Sequence, residues 1–144
     1  MRVLIVGSVL ATLLGTAGCV SPALNVDHYQ QQAVQSVAVT QSELQTTRLV
    51  LDSMLADRIF QSSADEVVSA SESALSSVAS SFGAVQPPAA SAGIEKRTTR
   101  YLSDAEDAVR QARIAVRRGD AVAMRLVVER IQRLLDRAAT VTDA

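Results

Sequence analysis

The chain has no tryptophan, one histidine, one cysteine and only four aromatic rings, Tyr29, Phe60, Phe82 and Tyr101, in 144 residues. A single cysteine excludes an internal disulfide framework and any cysteine-rich zinc or iron–sulfur site. With His28 as the only imidazole, no multi-histidine metal centre can be assembled, and the Glu-x-x-His pattern of di-iron bundles is absent. Neither a metal nor another cofactor is expected. The only lysine, Lys96, has Gly93 three residues before it, so a Ser-x-x-Lys acyl-transfer dyad is excluded. There is no basic excess either: the formal net charge is -1, which argues against nucleic acid as a partner. Beyond Pro22 the helix breakers are confined to Gly83, Pro87, Pro88, Gly93 and Gly119, and no run alternates apolar and polar residues as a strand would. Few breakers and 48% hydrophobic residues in so short a chain predict one small domain of long helices.

What is present begins with Arg2, an apolar run over residues 3 to 14, and the small-residue segment Gly15, Thr16, Ala17, Gly18 leading to Cys19. That is the layout of a secretory signal, and its apolar part is too short to span a bilayer alone. With Thr16-Ala17-Gly18-Cys19 in the position of a lipobox, the segment resembles a bacterial lipoprotein precursor. The resemblance implies cleavage between Gly18 and Cys19, acylation of the Cys19 thiol with groups such as palmitate, and a mature protein that starts at Cys19. It also implies export and attachment to the cell membrane or the outer membrane, facing away from the cytoplasm, with membrane lipid as the first partner. The alternative is an uncleaved anchor, because residues 3 to 26 carry no charge and would extend about 36 Å as a helix. In texture the remainder resembles small secreted helical proteins of GC-rich bacteria.

After the cysteine, apolar residues at Val26, Tyr29, Ala33, Val37, Leu44, Leu51, Leu55 and Ile59 predict a first helix over 27 to 60. Thr40 and Glu43 spell a capping box, so a break near residue 40 competes with one continuous helix. A second capping pattern, Ser63 with Glu66, opens a helix to about residue 82 with Ala64, Val67, Ala74, Leu75, Val78 and Phe82 on one face. The nine serines between 62 and 81 make a disordered linker the competing reading there. Residues 83 to 93 read as a loop. A third helix carries the stripe Ile94, Thr98, Tyr101, Ala105, Ala108, Ala112 and Ala115, flanked by Leu102, Val109 and Val116. It ends at Arg117, Arg118 and Gly119, and Asp120 caps a fourth helix burying Met124, Val127, Ile131, Leu134, Leu135 and Ala138. The expected organisation is a signal peptide over 1–18, a lipidated tether over 19–26 and an all-α, up-down-up-down four-helix bundle over 27–141.

Chemistry-bearing constellations are sparse. The acidic pairs Asp65-Glu66 and Glu106-Asp107 read as helix-terminal carboxylates, and Arg118-Gly119-Asp120, which resembles an integrin-binding tripeptide, reads as a helix stop followed by a helix start. Charge is uneven: two arginines face seven acids over residues 20 to 94, and eleven basic residues face eight acids over 95 to 144. Within the basic half, Arg110, Arg113 and Arg117 share one helical face, and Arg130, Arg133 and Arg137 repeat the spacing on the next helix. Such stripes could hold anionic head groups or phosphate-bearing polymers, or could be satisfied by i,i+4 pairs such as Glu106–Arg110 and Glu129–Arg133. The expected function is a non-enzymatic, membrane-anchored envelope lipoprotein that binds a protein or an anionic envelope component through its helical surface. A second reading is an oligomeric coiled-coil spacer using positions 34, 37, 41, 44, 48, 51 and 55, where Gln41 and Arg48 interrupt the apolar pattern. The third, an enzyme acting on envelope polymers, would need a cleft with perturbed carboxylates.

Overall fold

The computed structural model describes residues 25–142. The signal sequence, Gly18, Cys19 and most of the tether lie outside the described residues. Four helices follow: α1 (Val26–Leu55), α2 (Gln61–Gly83), α3 (Ala92–Arg118) and α4 (Ala121–Thr142), with a short 3-10 turn at Ala89–Ser91 leading into α3. No strand occurs among the described residues.

Cross-helix contacts fix the directions of the helices. Near one end of the molecule the Tyr29 ring, at the start of α1, meets Phe82 at the end of α2, with centroids 5.4 Å apart. Near the other, Asp65 at the start of α2 pairs with Arg117 at the end of α3 at 2.7 Å. Arg97 at the start of α3 donates from Nε to the Val141 carbonyl at the end of α4, at 3.1 Å. The chain therefore runs up-down-up-down. α1 touches α2, α4 and, across the diagonal, α3, whereas no Cα atoms of α2 and α4 lie within 8 Å of each other among the described residues. The short diagonal has a cause in the sequence: α3 lines its seam with Ala105, Ala108, Ala112 and Ala115, at most 2% exposed, and such small side chains let the α1 backbone come close.

In every helix one run of buried positions advances by alternating steps of three and four. The series is 33, 37, 40, 44, 47, 51 in α1; 64, 68, 71, 75 in α2; 94, 98, 101, 105, 108, 112, 115 in α3; and 124, 127, 131, 134, 138, 141 in α4. This is the 3.5-residue repeat of helices that pack side by side with knobs in holes.

The α1 seam departs from the expected register. Thr40 and Thr47 are fully buried where Gln41 and Arg48 had been assigned, and Val34 is 46% exposed. The seam therefore passes one residue before each of the two interruptions, because a buried threonine is compact enough to serve as a core residue; Ala33, expected on the stripe, is fully buried, and position 34 of the coiled-coil reading is off it. Thr40 does not cap anything: its hydroxyl donates to the Ser36 carbonyl at 2.8 Å inside a continuous helix, so the break near residue 40 does not form. The first helix also stops earlier than expected. Asp57 adopts a left-handed φ of 53°, its N–H donates to Met54 O, and the Arg58 N–H donates to Ser53 O. That bond pattern is a Schellman motif with aspartate in the place usually held by glycine.

The serine-rich stretch is a helix, and it begins at Gln61 rather than at Ser63. Ser63 and Glu66 are both exposed and form no capping box; Val68 rather than Val67 is buried. Serine hydroxyls are accommodated by bonding back along the helix, Ser73 to Ser69 O and Ser77 to Ser73 O. Gly83 is the last residue of α2 and Gly93 lies inside α3, which narrows the expected loop from both sides. The third and fourth helices follow expectation closely. Gly119 is left-handed at φ 62°, its N–H donates to Val116 O, Asp120 N–H donates to Ala115 O, and the Asp120 carboxylate caps α4 by accepting from Val122 N and Ala123 N.

Candidate functional site

The two arginine stripes have different surroundings. Arg110, Arg113 and Arg117 run down the side of α3 that faces α2, and the acids of α2 meet them. Arg113 Nε lies 2.6 Å from Glu72 and Arg117 Nε 2.7 Å from Asp65. The Arg113 Nε contact is an ion pair only, and the hydrogen bond between the two side chains is made by Arg113 Nη2, which donates to Glu72 Oε1 at 3.4 Å. Arg110 pairs with Asp107 at 2.7 Å and lies 3.9 Å from Glu72. The expected Glu106–Arg110 pair is therefore replaced, because Asp107 and Glu72 are the carboxylates in reach. Pairing with Asp65 raises the pKa of Arg117. At the same end Gln61 donates to the Arg117 carbonyl, one of the acceptors that a helix end leaves open, and to the Val116 carbonyl, which also accepts from the Gly119 N–H.

On α4 the stripe is divided. Arg137 pairs with Asp104 of α3 at 2.6 Å, and Arg130 reaches the Asp104 carbonyl at 3.5 Å. Arg133 is exposed, and no pair with Glu129 is found among the described residues. The six arginines thus form no single surface: three line the α2–α3 seam, two lean on α3 at Asp104, and one faces outward.

A different group of cations, not singled out by the sequence reading, gathers at the end of the bundle where α1 begins. The first two turns of α3 and the last two of α4 enclose a cleft of about 240 Å³ lined by Lys96, Arg97, Arg100, Tyr101, Arg137, Thr140 and Val141. Lys96, Arg97 and Arg100 are exposed. Arg97 bonds the Val141 carbonyl, and the Thr140 hydroxyl donates to Arg137 O at 2.8 Å. Tyr101 is 1% exposed and its hydroxyl has no hydrogen-bond partner. Burial pushes its pKa up to about 12, and the positive charge of Arg137 works against that rise. The signal that could have found this site is the spacing of Arg97, Arg100 and Tyr101 at the start of a helix whose neighbour ends in Arg137.

The opposite end mixes charged residues with exposed apolar ones. A cleft of about 220 Å³ there has Ile114, Leu126 and Val127 in its wall together with Arg118 and Asp120. Asp120 spends its carboxylate on the α4 cap, as expected for a helix start. Among the described residues no group of three or more His, Cys, Asp or Glu side chains could hold a metal ion, and His28 is exposed beside Gln32. No described helix is long and apolar enough to cross a membrane. No protein-family model, no curated protein and no solved structure matches the chain.

Proposed function

We propose that the protein is an exported lipoprotein, tethered to an envelope membrane through acylated Cys19, whose four-helix bundle acts as a binding module for an envelope protein or an anionic envelope component rather than as a catalyst. One observation carries this reading. The only cysteine of the chain stands directly after the small-residue segment that closes an apolar run, six residues before the Asn25 cap of α1. Two acyl chains would make such an anchor effectively stable, since each buried methylene contributes about 0.8 kcal/mol.

The arrangement of the bundle supports the binding half of the proposal. The apolar seam of α1, which an oligomeric spacer would need for self-association, is occupied within the chain by α2, α3 and α4. What the surface offers instead is cationic side chains on the α3–α4 hairpin, of which Lys96, Arg100 and Arg133 are exposed.

Cell fractionation of a Cys19→Ser variant tests the tether. The variant is expected to leave the membrane fraction; retention at full length would favour the uncleaved anchor. Replacing Arg130, Arg133 and Arg137 with Gln is expected to keep the helicity and weaken salt-sensitive binding to anionic liposomes, and unchanged binding would remove the α4 stripe from the proposal. The same replacement of Arg110, Arg113 and Arg117 is expected to have the smaller effect, because their charges are already met by Asp65, Glu72 and Asp107.

A further inference from the structure

We propose that the cleft between the start of α3 and the end of α4 is a binding site for a phosphate group, with the buried Tyr101 hydroxyl as its internal donor and Lys96, Arg100 and Arg137 as its cationic rim. A buried hydroxyl without a partner is unfavourable relative to a bonded one, and the side chain that carries this one lines the cleft, so a ligand seated there could meet it with a small shift of the ring. Here the wall around it is cationic: four basic side chains line the cleft and, among the described residues, no carboxylate does. Glu95 and Asp104 share a neighbouring groove with Lys96 and Arg100 but lie outside this lining, and Asp104 is held by Arg137. The arrangement suits a compact anion with several acceptor oxygens and more than one negative charge, because charge-assisted bonds to such an anion are the strong ones. A volume of about 240 Å³ admits a phosphate and the first atoms of its ester.

The position of the cleft suggests where that phosphate comes from. It lies at the end of the bundle where α1 starts, as the Tyr29–Phe82 and Arg97–Val141 contacts establish. Asn25 stands six positions after Cys19, a reach of at most about 20 Å when extended. A bundle tethered at Cys19 would therefore hold this end, and not the far one, toward the lipid head groups. This assignment of the source rests on the tether proposed above; the phosphate site itself does not.

The test uses the full-length protein in a neutral detergent, with inorganic phosphate as the probe and acetate at equal ionic strength as the control. Phosphate is expected to raise the unfolding midpoint and acetate to leave it in place, as a ligand selective for the native state does. Lys96→Gln combined with Arg100→Gln, both exposed positions, should weaken phosphate binding at least tenfold with unchanged helicity. Tyr101→Phe is the sharper variant: without ligand it should be as stable as the parent or more so, yet bind phosphate about tenfold more weakly. A hydroxyl with only a structural role would give the first effect without the second. Equal responses to phosphate and acetate, or parental phosphate affinity in both variants, would overturn the proposal. Competition by phosphatidylglycerol vesicles, but not by phosphatidylcholine vesicles, would assign the phosphate to anionic lipid; competition by neither would assign it to a soluble phosphate ester. Intact mass reads acylation of Cys19 separately, so a failed tether and a failed phosphate site give different results.

Discussion

At the scale of single residues, the buried threonines explain most about how α1 fits its neighbours. Thr40, Thr47 and Thr98 are fully buried, but only Thr40 has a partner for its hydroxyl. Replacing Thr47 by valine keeps the shape and removes an unpaired polar atom, so it should stabilise the protein by about 1 kcal/mol. Thr40→Val removes a formed bond and should gain less or nothing. Thermal unfolding of the two variants checks this, and equal shifts would show that the hydroxyls are solvated alike. These residues also mark what the sequence concealed. A pattern search that counts only large apolar residues sees Leu44 and Leu51 and then places Gln41 and Arg48 on the seam. The true seam passes through 40 and 47, with Gln41 and Arg48 half-buried beside it and Arg48 reaching Gln132 of α4. Leu44, fully buried on that seam, should cost about 2–5 kcal/mol when cut back to alanine.

At the scale of elements, the two hairpins close in the same way with different residues. α1 and α3 both end in a left-handed residue flanked by the same pair of backbone hydrogen bonds, with Asp57 in one and Gly119 in the other. The glycine announced the end of α3 and the start of α4 in the sequence. The aspartate did not, and the expected helix ran on to residue 60, because aspartate reaches this conformation only several times more often than other side chains. A side chain at 119 would meet no neighbour within 4 Å, so Gly119→Ala should cost about 1 kcal/mol through backbone strain alone. Chemical denaturation measures it, and a loss several times larger would mean that the turn packs against something else. Helix α2 was the least legible element. Its nine-serine stretch resembles a linker in composition, and what makes it a helix is tertiary: Ala64, Val68, Ser71, Leu75 and Phe82 sit in the core and Gln61 closes the end of α3.

The molecule as a whole is polarised. The acids of α2 neutralise the arginines of α3 along one seam, so the uneven charge of the two halves of the sequence becomes a set of cross-hairpin pairs rather than a uniformly basic face. The end where α1 begins keeps Lys96, Arg97, Arg100 and Arg137 around one cleft, while the far end exposes Phe60, Val122 and Leu126. Sequence alone could list the cations, but only the antiparallel pairing of α3 with α4 brings residues 96 to 101 beside Arg137. Buried tyrosines at the basic end give the fold an alkaline limit. Burial raises the pKa of Tyr101 to about 12 and that of Tyr29 above its ordinary value, with Glu95 adding to the latter. The folded state therefore keeps protons that the unfolded chain releases near pH 10, so the contribution is complete below pH 10 and is lost between about pH 10 and 12. Unfolding followed across that range should show stability falling with pH, and Tyr101→Phe should flatten the fall; an unchanged slope in the variant would contradict the assignment.

The proposed tether would decide which way this polarised bundle faces, and the intact mass of protein extracted from native membranes tests it most directly. A mass equal to residues 19–144 plus acyl groups is expected, which would put the basic end of the bundle beside the membrane. A full-length, unacylated mass would contradict the lipoprotein reading and leave residues 1–24 as an uncleaved anchor.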